Sequence, residues 1–126
     1  SAASDVYKRQ EETHKPLIIH CVKAWADLIA CKKAVKPEMP WIIHGFRGNG
    51  ELASQLVRLG FYLSFGDRFN PSALRAAWPD FLFLETDDKS IDIRGVYQNV
   101  AEALDIPEEK LRIQIAKNVS IFHLNG

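Results

Sequence analysis

Residues 41–60 read WIIHGFRGNGELASQLVRLG, and within them lies one complete structural unit. Trp41-Ile42-Ile43-His44 is a nearly continuous apolar run of strand length. Gly45 to Gly50 has the composition of a turn, and Gly50 to Leu59 places apolar residues at helical spacing. Gly60 follows where a helix C-terminus often uses glycine. The same order recurs on both sides. Apolar runs start at Leu17 (Leu17-Ile18-Ile19-His20-Cys21), Tyr62 (Tyr62-Leu63-Ser64-Phe65) and Phe81 (Phe81-Leu82-Phe83-Leu84-Glu85). Helical patterns cover Ala24 to Val35, Pro71 to Ala77, Ile93 to Leu104 and Pro107 to about Phe122. Asn70 is the expected N-cap of the helix that begins at Pro71, and Asp105 the expected cap of the last one. Alternating strands and helices predict an α/β fold with a parallel sheet. Strands this uniformly apolar read as covered on both faces.

The chain has 126 residues, enough for one domain, with 47% apolar and 25% charged residues. These are globular proportions and argue against disorder, collagen-like repeats and coiled coils. Sixteen basic residues balance sixteen acidic ones, so any contact with phosphate must be local. No apolar run approaches the roughly eighteen residues of a membrane span, and no signal-peptide pattern is present, which predicts a cytoplasmic location. Cys21 and Cys31 lie in apolar segments and read as buried thiols. The first ten residues, Ser1 to Gln10, show neither a strand nor a helix period. They resemble translated adapter sequence, so residues 1–10 are expected to be a non-native leader and 11–126 the folded unit.

In a parallel sheet with right-handed crossovers, the C-terminal ends of all strands lie on one side, where sites are built. His20 closes the first run, His44 closes the second, and Asp87 follows the fourth. Two imidazoles and a carboxylate suit zinc or another first-row divalent ion. Glu85 lies inside an apolar run, where a carboxylate needs a cation or a hydrogen-bond donor. Residues two apart on a strand share a face, so Glu85 and Asp87 converge if the strand extends that far. Arg47, in the loop Gly45-Phe46-Arg47-Gly48-Asn49-Gly50, is a candidate phosphate contact at a helix N-terminus. Lys23 and Arg68, after the first and third strands, are further candidates. His14 and His123 lie away from strand ends, and Trp25, Trp41 and Trp78 are too dispersed for a base-stacking platform. His20 and Cys21 are adjacent and face opposite ways, which argues against cysteine catalysis.

Taken together, Pro16-Leu17-Ile18-Ile19-His20-Cys21, Ile43-His44-Gly45-Phe46-Arg47-Gly48, Gly60-Phe61-Tyr62-Leu63-Ser64-Phe65 and Leu84-Glu85-Thr86-Asp87 resemble the TatD family of metal-dependent hydrolases. Order and spacing both match, from about Lys15 to Phe122, including Asn118 in the closing helix. The resemblance implies a (β/α)8 barrel and a metal-dependent deoxyribonuclease that uses two magnesium, manganese or zinc ions. It makes His20, His44 and Asp87 metal ligands, Asp87 and Glu85 the catalytic carboxylates, and DNA the substrate. The family's paired histidines on its first strand have no counterpart, because no HxH occurs here. A (β/α)8 barrel needs about 250 residues, so the chain is expected to be the C-terminal four βα units, inactive without the N-terminal half-barrel. Its edge strands are then expected to make it self-associate. The pattern departs from the family after His44, where cysteine-phenylalanine-serine-glycine is replaced by Gly45-Phe46-Arg47-Gly48, and at Val22, where arginine is common. A non-catalytic anion-binding or partner-binding module, and a metal-dependent hydrolase of esters, amides or phosphotriesters, are the alternatives.

Overall fold

A computed structural model describes residues 2–20, 23–86 and 92–120. Its elements are α1 (Ala2–Glu11), β1 (Leu17–His20), α2 (Trp25–Val35), β2 (Trp41–His44), α3 (Gly50–Arg58) and β3 (Tyr62–Phe65), followed by α4 (Pro71–Ala77), β4 (Leu82–Leu84), α5 (Ile93–Leu104) and α6 (Glu108–Val119). The helix ends follow the capping chemistry of the sequence. Asn70 Oδ1 accepts from the N–H groups of Ser72 and Ala73 at 2.9 and 3.3 Å, with Pro71 as the first helical residue. Asn49 caps α3 through Leu52 N–H at 2.9 Å. Gly60 takes a positive φ of 88° just past α3, a backbone region that disfavours side chains carrying a Cβ. Asp105 departs from expectation: it is the left-handed C-cap of α5, and Pro107 occupies the N-cap of α6, its carbonyl accepting from Lys110 and Leu111 N–H.

All four strands are parallel and pair in the order β1-β2-β3-β4. The register is unshifted between β1 and β2, from Leu17 opposite Trp41 to His20 opposite His44. Side-chain alternation then divides the sheet into two faces. Ile19, Trp41, Ile43, Leu63, Phe65 and Leu82 point to one face and join Leu28, Ala53, Leu56, Leu74, Val100 and Leu111 of the helices in one core cluster. Full burial of such a side chain stabilises the fold by about 1.5–3 kcal/mol. The other face carries Ile18, Ile42, Tyr62 and Phe83 and adds nothing to that cluster. At its β1 edge Ile18 is 62% exposed. The sequence reads as strands covered twice, whereas the helical core draws on one face only. The reason is that successive right-handed crossovers between neighbouring strands place their helices on the same side, while the second apolar face belongs to the inside of a barrel. The fold is therefore four consecutive βα units of a (β/α) barrel.

Within the N-terminal segment that shows no visible period, residues 2–11 form helix α1. Tyr7 of α1 packs on Trp41 with ring centroids 4.8 Å apart, and Ser4 Oγ donates to the buried Cys31 Sγ at 3.7 Å. The Glu11 carboxylate accepts from the N–H groups of Glu38 and Met39. Cys21 and the end of the last helical pattern at Phe122 lie outside the described residues. Among the described residues, no helix is long and apolar enough to cross a membrane.

Asn118 ties the last helix to the sheet. It is 4% exposed, and its Nδ2 donates to the carbonyls of Pro79 and Leu82, each at 2.8 Å, while its Oδ1 accepts from Gln114 Nε2 at 2.9 Å. Leucine has similar bulk but no donor for either carbonyl. Asn118→Leu is expected to cost about 2 kcal/mol, read as a lowered urea midpoint. An unchanged midpoint would show that the two carbonyls are satisfied without Asn118.

Candidate functional site

His20 and His44 are the last residues of β1 and β2, and the unshifted register sets them side by side. Their rings are 4.6 Å apart between centroids and inclined at 60°. His20 is exposed, whereas the His44 side chain retains 22% exposure. Glu85 follows β4 directly, and its N–H donates to the Phe65 carbonyl at 2.9 Å, so its backbone is held by β3. It lies two residues beyond Phe83 and shares that residue's face, which brings its carboxylate over β3 toward β2. Glu85 Oε2 contacts His44 Nδ1 and accepts from Ser64 Oγ at 2.8 Å. Both the Glu85 and Ser64 side chains are largely buried, at 11% and 6% exposure. The carboxylate that the apolar run makes costly thus meets a hydroxyl and an imidazole, in the low-dielectric surroundings where such bonds are strong.

Three of the residues singled out in the sequence, His20, His44 and Glu85, are brought to one end of the sheet. Asp87 lies outside the described residues. Among the described residues no three histidine, cysteine or acidic side chains are grouped closely enough to cage a metal ion. Ser64 is the member that the sequence reading passed over. Its signal is a lone hydroxyl within an apolar run, on the strand that separates His44 from Glu85.

The loop after β2 is built from the inside. Phe46 is 1% exposed and stacks edge-on against Trp25 and Phe65, with centroid distances of 5.8 Å to each. Its N–H donates to the Ser64 carbonyl at 2.9 Å. A Cβ on Gly48 would approach the Phe46 ring to 2.6 Å and a Leu52 methyl to 2.9 Å, so glycine is required by the close approach. Gly45 takes φ 65°. These glycines serve backbone geometry, and Arg47 between them is exposed. Arg68 is exposed in the loop after β3. Lys23, also exposed, lines with His20 and Asp27 a cleft of about 180 Å³ beside α1.

The crystal structure of a TatD family hydrolase from Entamoeba histolytica superposes with a TM-score of 0.80 at 15% identity. The match covers 98% of the present chain and 55% of that protein, so this chain spans about half its length, and the likeness is one of fold. No curated protein matches the sequence. The sequence model of the TatD related DNases matches residues 5–123, in agreement with the resemblance carried by the His20, His44 and Glu85 motifs. On that match over nearly the whole sequence, and with the barrel-type arrangement of its strands, the chain belongs to the TatD family of hydrolases.

Proposed function

We propose that this chain forms part of the active site of a cytoplasmic, metal-dependent deoxyribonuclease that hydrolyses phosphodiester bonds. The observation that carries the reading is the pairing of His20 with His44 at adjacent strand ends, with Glu85 against the inner nitrogen of His44. Two neighbouring imidazoles, one of them backed by a carboxylate, are a donor set suited to zinc or manganese, and a carboxylate at Asp87 would extend it toward magnesium. His20, His44 and Asp87 would hold the metal, two ions in a complete site. When bound, the ions would lower the pKa of coordinated water and polarise the phosphoryl oxygens.

The chain's own groups divide the remaining work. Asp87 would accept the proton of the attacking water. Glu85 would keep the His44 ring in place, and it is set well back from solvent for that purpose. Arg47 would offer its guanidinium to a substrate phosphate, and Lys23 and Arg68 would add positive charge at the same mouth. The rest of the ligand set would come from further βα units, an N-terminal half-barrel that packs on the Ile18, Ile42, Tyr62 and Phe83 face. This chain alone would then be inactive.

In the complete protein, linear DNA is expected to be cleaved only with an added divalent metal, and small carboxylic esters to remain intact. His44→Ala should abolish cleavage, and Asp87→Asn should lower turnover about 10²–10⁴-fold at saturating metal. Ester hydrolysis without DNA cleavage, or near-normal turnover in Asp87→Asn, would overturn the assignment. The isolated 126-residue chain is expected to self-associate in light scattering, because β1 and β4 each pair on one side only within the sheet. A monomer that unfolds cooperatively would contradict the half-barrel account.

A further inference from the structure

We infer that Ser64 is a positioning residue, which acts through Glu85 to set the orientation and tautomer of His44. The inference rests on the metal-site reading above and adds to it a residue on β3. An ionised carboxylate only accepts hydrogen bonds, so a Glu85 Oε2 that takes the Ser64 hydroxyl at 2.8 Å and also meets His44 Nδ1 requires the proton of a neutral His44 to sit on Nδ1. Nε2, on the far side of the ring, then carries the lone pair and is the nitrogen that can act as a ligand. The two bonds meet on one oxygen, so the hydroxyl and the imidazole fix the carboxylate from two strands at once.

Position explains why a serine is suited to this task. Ser64 lies between Leu63 and Phe65, both fully buried in the helical core, so the β3 backbone at this point has little freedom. Its neighbour in register on β4 is Phe83, the last residue on this face before Glu85. Its carbonyl accepts from Phe46 N–H at 2.9 Å, which couples the same residue to the loop after His44. A buried hydroxyl in an apolar strand is costly unless it is hydrogen bonded, and here its acceptor is the carboxylate that backs the histidine. Glu85, by contrast, lies beyond the last residue of β4. Ser64 gives its side chain an anchor on the neighbouring strand.

The test is the histidine ring ¹⁵N spectrum of the full chain, recorded about two units above the usual histidine pKa of about 6.5, with Ser64→Ala and Ser64→Thr beside it. The unsubstituted chain and Ser64→Thr, which keeps the hydroxyl, are expected to show His44 protonated on Nδ1. Ser64→Ala is expected to show a mixture of tautomers and, in the complete protein, to bind zinc about tenfold more weakly. Where the alanine variant does not fold, Ser64→Cys keeps the volume with a poorer donor and should give the same mixture. A purely structural serine would lower the melting temperature and leave the tautomer unchanged, and that result would overturn the proposal. So would an unsubstituted chain with His44 protonated on Nε2. A tautomer that follows Ser64 in a complete protein that never binds zinc would support the positioning role and remove the metal-site reading instead.

Discussion

The unshifted parallel register between β1 and β2 is the constraint on which the site depends. Slipping one strand by one residue would turn its histidine to the opposite face, because side chains alternate along a strand. With the register as it stands, Leu17 pairs with Trp41 on the helical face and His20 with His44 on the open one. The large apolar residues that hold the register, Ile19, Trp41 and Ile43, are the same ones that bury the sheet against the helices. Core packing and site geometry therefore have a single origin.

One face buried against helices leaves the other to be used differently along its length. Near the start of the strands it is apolar, with Ile18, Ile42 and Tyr62, and at the C-terminal ends it turns polar, with His20, His44, Ser64 and Glu85. The inside of a (β/α) barrel is organised in this way, with packed layers below and chemistry at the top. The loops follow from the same arrangement. Phe46 is drawn into the core beside Trp25 and Phe65, which holds the loop after β2 close to the strand end and leaves Arg47 outward.

Most of this was legible in the sequence because the strong signals are local. The four apolar runs, the helices from Pro71 and Ile93, and the caps at Asn70 and Gly60 depend on spacing and on residues within one turn. The two histidines were visible because each terminates such a run. Other features depend on partners far along the chain. Residues 2–11 show no period because α1 buries only selected side chains, Tyr7 and Ser4 among them, against residues more than twenty positions away. Asp105 reads as a cap for the following helix, yet its left-handed backbone ends the preceding one. Ser64 gains its meaning only when β2, β3 and β4 are laid side by side, since His44 and Glu85 approach it from opposite neighbours.

The central claim is that His20 and His44 share a metal at the strand ends. The most direct measurement is an anomalous difference map at the zinc edge from crystals of the complete protein grown with zinc. The expected result is a peak at about 2.0–2.1 Å from a ring nitrogen of each histidine, with Glu85 remaining on Nδ1 of His44. Zinc bound only elsewhere, or two imidazoles turned away from any peak, would contradict it.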